Sequence, residues 1–204
     1  MIFRQMQIGA MMNFTYIVGD EKTRLAAVVD PHGEVDRIIE TAKEAGLKIA
    51  YVINTHSHWD HVAGNDELAS KTGAKVIMHA SSRLKKDRAV NDGDVINVGE
   101  TPIRTLHTPG HSPDEMCLLV EGKLLTGDTL FVGECGRTDL PGSSPEDMYD
   151  SLFNKILKLD DAVEVYPGHD YGPSPSSTVG HERRYNYTLK PRAKSEFVKF
   201  MAEG

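Results

Sequence analysis

The chain of 204 residues has the length of one well-buried domain, since domains usually span roughly 100–200 residues, and we expect a single domain over 1–204. Hydrophobic residues make up 39% and charged residues 26%, which is typical of a globular domain and argues against a disordered or fibrous chain. The formal charge of −7, without a basic stripe, disfavours a nucleic-acid partner, because phosphate binding needs a concentrated basic face.

The N-terminus, the apolar runs and the cysteines bear on location. Met1 to Met6 lack a basic start followed by a long apolar run, so we expect no signal peptide. No stretch approaches the roughly 20 apolar residues of a membrane span. Cys117 and Cys135 are too few for a disulfide framework and fit a reducing compartment. These features predict a cytoplasmic protein without a membrane partner, and they leave its oligomeric state open.

The first predicted elements are a strand, a helix and a second strand. Leu25–Val29 has the pattern of a buried strand that ends in a turn. From Val35 onward the apolar residues share one helical face, and Gly46 stands where a C-terminal cap belongs. The next strand covers about Lys48 to Asn54. It leads directly into a loop rich in histidine.

Short strands dominate the middle of the chain, and helices return towards its end. After a predicted helix near 65–72, the strand-like segments are 74–79, 95–98, 103–107, 116–120, 123–126 and 163–166. Ser144 and Pro145 have the pattern of a helix start, with the helix continuing to Leu159. A loop over 173–177 and a terminal helix over 195–202 follow. This order predicts a layered α/β fold with sheet packed on sheet.

The loop after the second strand carries four potential metal ligands within six residues: His56, His58, Asp60 and His61. Packing does not explain such a density of polar side chains at the end of an apolar strand. An extended run directs His56 and His58 to one side, and a following turn brings Asp60 and His61 to a neighbouring point. Imidazole and carboxylate together suit zinc, iron or manganese and do not suit calcium or magnesium.

Three further motifs offer one ligand each, and each follows a predicted strand. They are His111 in Thr-Pro-Gly-His-Ser, Asp128 in Leu-Thr-Gly-Asp and His169 in Tyr-Pro-Gly-His-Asp. A lone histidine is more often structural than a ligand, but the number and order of these motifs favour one site at one edge of a sheet. The remaining histidines fit no ligand pattern and are interpreted as structural or surface residues: His32, His79, His107 and His181.

These motifs, in this order, resemble the metallo-β-lactamase superfamily over about residues 13–187. The resemblance implies an α/β fold of four layers, an αββα sandwich, with a two-metal centre between its sheets. It implies these roles: His56, His58 and His111 for one metal, Asp60, His61 and His169 for the second, and Asp128 as the bridge.

The segment after Asp128, which ends in Cys135-Gly136-Arg137, resembles the glyoxalase II (hydroxyacylglutathione hydrolase) branch of this superfamily. In that branch a Cys-Gly-Lys/Arg segment supplies a cation for the glutathione moiety. The resemblance implies that Arg137 binds substrate and that Tyr171 is the aromatic residue that follows the last ligand. The alternatives are a solvated surface arginine for Arg137 and a packing role for Tyr171.

Hydrolysis is the first functional hypothesis. Two divalent metals, either zinc or an iron–zinc pair, can share a hydroxide and lower the pKa of water from about 15.7 towards 7. Asp60 is the candidate catalytic residue, since it can both ligate a metal and orient the nucleophile. A thiolate can leave without a dedicated general acid, so a thioester suits this site. We therefore expect a glyoxalase II-like thioester hydrolase acting on a small thiol-derived substrate such as a glutathione conjugate.

Two alternatives remain open. The segments 135–139, 169–171 and 177–183 are also similar to persulfide dioxygenases, which bind one iron and oxidise glutathione persulfide. One Fe(II) could be held by His56, His111 and Asp128, with positions left for oxygen and sulfur. The other alternative, a non-catalytic zinc-stabilised binding module, is disfavoured because seven ligands imply open coordination positions. β-Lactam hydrolysis and nuclease activity are also less favoured.

Overall fold

The computed structural model describes residues 1–203, and its strands form two six-stranded sheets. Neighbours are antiparallel from β1 to β3 and parallel from β3 to β6 in the first sheet. Its strands, in spatial order, are β1 Ile2–Ile8, β2 Asn13–Gly19, β3 Leu25–Val29, β4 Lys48–Ile53, β5 Lys75–His79 and β6 Arg88–Val90.

The second sheet also follows chain order, from β7 at one edge to β12 at the other. Its pairs are antiparallel except β10 with β11, which run parallel and therefore end at the same edge. Its strands are β7 Val95–Val98, β8 Thr101–His107, β9 Met116–Val120, β10 Lys123–Gly127, β11 Glu164–Pro167 and β12 Ser177–Thr178.

Within residues 1–203, six α-helices accompany the sheets: α1 Val35–Glu44, α2 Trp59–Val62, α3 Asn65–Thr72, α4 Pro145–Tyr149, α5 Val179–Tyr185 and α6 Lys194–Glu203. The predicted start at Ser144 is confirmed, because its side chain accepts the N–H of Asp147 at 3.1 Å. The expected single regular helix up to Leu159 is wrong. After Tyr149 the chain widens into π-helical turns over 150–155 and tightens into a 3₁₀ turn over 156–158.

Apolar side chains fill three separate layers. The first lies between the first sheet and helices α1 and α3, around Ile17, Ile38 and Leu68. The second lies between the two sheets, where Tyr16 and Val18 point to the opposite side of β2 from Ile17. The third, around Met148 and Phe197, covers the outer face of the second sheet. The expected αββα order is confirmed.

Several elements went unpredicted. Strands β1 and β2, helices α2 and α5, and the short strands β6 and β12 are all additions to the sequence analysis. Strand β2 matters for the site because Phe14 N–H donates to the carbonyl of Gly168 at 2.8 Å, which joins the two sheets beside His169. Among residues 1–203, no helix combines the length and the apolar character needed to cross a membrane.

Candidate metal centre

Four loops bring the seven predicted ligands to one place. The segment His56–His61 follows β4, and helix α2 begins inside it, so that His58 is its N-cap. His111, Asp128 and His169 follow β8, β10 and β11. The sequence pattern predicts that the ligands lie at one edge of a single sheet. The centre instead lies where edges of both sheets meet, because β4 belongs to the first sheet and the other three strands belong to the second.

The first group of donors consists of His56, His58 and His111. Nδ1 of His58 lies 3.0 Å from Nε2 of His56 and 2.9 Å from Nε2 of His111. One imidazole proton cannot satisfy several such nitrogen–nitrogen contacts at once. Donors bound to one zinc at about 2.0–2.1 Å lie about 3.3 Å apart in a tetrahedral arrangement. The three nitrogens are therefore spaced as ligands of one cation.

The second group consists of Asp60, His61 and His169. Nε2 of His61 lies 3.2 Å from Nε2 of His169, and Oδ2 of Asp60 lies 3.4 Å and 3.3 Å from these two nitrogens. All three side chains are buried. One carboxylate oxygen and two imidazole nitrogens form a second compact donor set that fits zinc or iron.

Asp128 lies between the two groups. Its Oδ1 is 3.4 Å from Nε2 of His61, and its Oδ2 is 3.5 Å from Nε2 of both His111 and His169. Oδ1 is buried without a hydrogen-bond partner among the described residues. Buried carboxylate oxygens normally have a hydrogen-bond partner. An unpartnered Oδ1 is what we expect where a metal ion binds beside the carboxylate. The residues present therefore fit a metal pair.

The outer ring nitrogens of three histidines are held by protein acceptors. Nδ1 of His61 lies 3.1 Å from Oδ2 of Asp30, and Nδ1 of His111 and His169 lie 3.0 Å from the carbonyls of Arg137 and Met11. With the proton on Nδ1, the lone pair of Nε2 faces the centre. This arrangement orients the histidines before any metal binds.

Two polar residues that support the second donor group were missed by the sequence analysis. Asp30, directly after β3, also accepts from the backbone and the hydroxyl of Thr55. Asn13, at the start of β2, donates to Oδ2 of Asp60 at 3.0 Å. Asp30 could have been found, because β3 runs parallel to β4 and both strands end at the same edge. Asn13 had no such signal.

The centre concentrates negative charge. Burial opposes ionisation of Asp60 and Asp128, but the neighbouring histidines outweigh it and hold the pKa of both carboxyls well below the usual range. Burial likewise opposes the charge on His169, yet contacts with Asp128 and Asp60 raise its pKa to about 10. Within residues 1–203, the ion-pair partners of both carboxylates are histidines only. Such a site favours cations.

A cleft of about 580 Å³ opens onto the centre. Trp59, 65% exposed, and Tyr171, 50% exposed, stand on its rim, and Tyr171 stacks on His169 with ring centroids 4.6 Å apart. Arg137 also lines the cleft, in an ion pair with Asp139. Gly136 packs so tightly that a Cβ there would lie 1.9 Å from the carbonyl oxygen of Asp128.

Comparison with known families and proteins agrees with this geometry. Residues 8–169 match the family model described as the metallo-beta-lactamase superfamily. The chain belongs to this superfamily. Its relatives include the mitochondrial persulfide dioxygenase ETHE1 of Homo sapiens, 36% identical over 98% of this chain and 80% of that protein.

Relatives named as hydrolases are similar at the same level. The probable polyketide biosynthesis zinc-dependent hydrolase PksB of Bacillus subtilis is 36% identical over 92% of this chain and 86% of that protein. A hydroxyacylglutathione hydrolase of Polaromonas is 38% identical over 79% of this chain and 64% of that protein. Among solved structures, ETHE1 from Myxococcus xanthus has a TM-score of 0.95 and 34% identity, with 99% of this chain and 90% of that chain covered. The relatives thus include both dioxygenases and hydrolases.

Proposed function

We propose that this protein is a persulfide dioxygenase that binds one iron and oxidises the persulfide of a small thiol such as glutathione. The observation that carries the proposal is the similarity to the Myxococcus xanthus structure, which extends over 99% of the chain at a TM-score of 0.95. The region covered by that comparison includes the loop with Arg137, the C-terminal helices and the ligand residues. The proposal reverses our first expectation, in which hydrolysis ranked ahead of oxidation.

The residues of the centre suit this reaction. His56, His111 and Asp128 supply two imidazoles and a carboxylate, and iron held in this way would keep positions at which dioxygen and a sulfur ligand can meet. Arg137 lies in the wall of the cleft, where its guanidinium can bind a carboxylate of the thiol carrier. Tyr171 and Trp59 form the rim of this cleft.

Thioester hydrolysis is the second candidate, and the completeness of the second donor group favours it. Asp60, His61 and His169 have the spacing of metal ligands, and Asp128 reaches both groups. Two metals would activate water for attack on a carbonyl. In that reaction Asp60 orients the attacking water, and the thiolate leaves without a general acid.

The metal content and two assays separate the candidates. Protein produced without added metal should contain about one iron per chain, consume oxygen only when glutathione persulfide is supplied, and leave glutathione thioesters intact. Two metals per chain with thioester hydrolysis and no oxygen uptake would establish the hydrolase instead. As a matched pair, His111→Ala should lose the iron and His169→Ala should keep it, whereas a two-metal enzyme loses metal in both variants.

A further inference from the structure

Glu115 is a buried carboxylate beneath the metal centre that no motif indicated. It immediately precedes β9, and its residue exposure is 0%. Its Oε1 accepts the N–H of Asp128 at 3.0 Å, and its Oε2 lies 3.3 Å from Nδ1 of His56. Its main-chain carbonyl accepts from Thr108 N–H at 2.9 Å, which closes the loop that presents His111. One residue therefore contacts or supports three of the proposed ligands.

Packing alone does not account for a glutamate in this place. Its carboxylate has Asp128 and Asp30 as neighbours of like charge, and among residues 1–203 it forms no ion pair with lysine or arginine. Oε2 has no hydrogen-bond partner among the described residues. A Cβ at position 127 would lie 2.3 Å from Oε1, so Gly127 is needed for the carboxylate to approach Asp128. A buried anion of this kind is unfavourable unless a positive charge lies nearby.

The hydrogen bonds around His56 fix where its proton must be. The Thr55 hydroxyl lies 3.1 Å from Nδ1 of His56, but it donates its own proton to Oδ2 of Asp30 at 2.7 Å. Towards His56 it can therefore only accept. Oε2 of Glu115 lies 3.3 Å from the same nitrogen without forming a hydrogen bond to it, and its negative charge in the ionised form favours a proton there. The Thr55 hydroxyl therefore requires the proton on Nδ1 and the Glu115 carboxylate stabilises it electrostatically, which leaves Nε2 free for the metal.

We infer that Glu115 is a positioning residue of the metal centre: its carboxylate holds His56 in the tautomer that ligates through Nε2 and fixes the backbone of Asp128. The charge of Glu115 makes His56 a stronger donor, as carboxylate–histidine pairs do at other metal sites. This inference rests on the metal centre of the proposed function, and it applies to either reaction because His56 and Asp128 take part in both.

Glu115→Gln tests the inference through metal affinity. The glutamine amide keeps the shape of the side chain, but it presents either a hydrogen-bond donor or an uncharged acceptor to His56. Competition between a chromophoric chelator and the protein for Zn²⁺ should show binding weakened about 10- to 100-fold. Glu182→Gln is the matched control, because Glu182 is also 0% exposed with one unpartnered oxygen and its other oxygen accepts from Gly133 at 2.8 Å. The control should bind Zn²⁺ within about twofold of the parent, and the metal-free Glu115→Gln protein should unfold near the parent temperature.

Zn²⁺ affinity within about twofold of the parent in Glu115→Gln, or an equal loss in Glu182→Gln, would overturn the inference. If Glu115→Gln does not fold, ¹⁵N NMR of the zinc-loaded parent decides the point: a proton on Nδ1 of His56 supports it, and a proton on Nε2 overturns it. A parent protein that binds no metal would instead defeat the centre itself. The affinity readout does not depend on whether the enzyme is a dioxygenase or a hydrolase.

Discussion

Arg137 and Asp139 form a two-pronged ion pair at the cleft, with Nε and Nη2 of the guanidinium each 2.5 Å from a carboxylate oxygen. The two side chains are 64% and 60% exposed, so water weakens the pair and a substrate carboxylate can take the place of Asp139. Under the proposed function, Arg137 binds the anionic substrate and Asp139 competes with that substrate for the guanidinium.

Arg137→Ala should raise KM for a glutathione-type substrate about 10- to 150-fold, the equivalent of roughly 1.5–3 kcal/mol for a charge-assisted hydrogen bond, with kcat less changed. Asp139→Asn should act in the opposite direction and lower KM by no more than several-fold, because an exposed pair is worth about 1 kcal/mol or less. Arg184→Ala is the control, since Arg184 is similarly exposed and pairs with Asp161 at 3.5 Å. Early thermal unfolding of Arg137→Ala, or an unchanged KM, would give Arg137 a structural role.

Asp128→Ala should lose bound metal and activity together, because its carboxylate is the one that reaches both donor groups in the described structure. Metal affinity should fall by at least the roughly 10- to 100-fold that follows when a residue hydrogen-bonded to a metal ligand is removed. Metal analysis after gel filtration and steady-state assays measure the two effects on the same sample. Asp36→Ala, a change in the largely exposed Asp36 of helix α1, should alter neither. Full metal retention in Asp128→Ala would show that this residue is not a metal ligand.

Both cysteines should be unreactive in the folded protein. Burial raises the pKa of the Cys117 and Cys135 thiols to about 12, so almost no thiolate is present at pH 8. A chromogenic disulfide reagent should therefore label neither thiol rapidly in the native state and both after unfolding in guanidinium. The single variants Cys117→Ser and Cys135→Ser identify the source of any signal. Rapid labelling that disappears in Cys135→Ser would show that the wall of the cleft opens in solution.

The stacked pair of His79 and His107 should make stability depend on pH. Their ring centroids are 3.8 Å apart with planes inclined by 9°, and the pair joins the end of β5 to the end of β8. Burial and then His107 lower the pKa of His79 to about 4, against an opposing pull from Asp114 and Asp92. Because the unfolded chain has an ordinary pKa near 6.5, the native state binds fewer protons between these values, and stability falls as pH drops from about 6.5 towards 4.

His79→Asn should remove part of that dependence. Urea unfolding of metal-saturated protein at pH 7 and pH 5 should show a larger loss of unfolding free energy in the parent than in His79→Asn. His181→Asn is the control because His181 is exposed on helix α5, and it should behave like the parent. Equal losses in the parent and in His79→Asn would mean that His79 does not contribute to acid sensitivity.

The sequence predicted the layered fold because most of its elements carry a local signal. Helix α1 shows its apolar face at every turn, and the helix start at Ser144 is marked by the residues that follow it. Strand β2 is buried at every position but includes Asn13, Thr15 and Gly19, so it lacks the continuous apolar run by which the buried strand β3 is recognised. It was missed for that reason.

The residues that support the metal ligands were not predicted, for a different reason. The ligand motifs are dense enough to stand out along the chain, whereas Asn13, Asp30 and Glu115 are isolated polar residues that local patterns assign to turns or loops. Their contacts join segments 13 to 59 residues apart, such as Glu115 with Asp128 and Glu115 with His56. Asp30 reaches the ligands through the pairing of β3 with β4, whereas Asn13 and Glu115 reach them only when the tertiary fold is complete.

The loop from Thr129 to Arg137 both lines the cleft and supports the metal centre, so a change in one role also affects the other. Its last carbonyl supports His111, and its Gly136 lies against the main chain of Asp128, so an insertion or a larger residue here disturbs the metal centre. New substrate preferences in this lineage should therefore arise by exchange of side chains on the rim, at positions such as Trp59, Leu140 and Tyr171. Laboratory evolution towards other thiols has most freedom at these same positions, with the length of the loop left as it is.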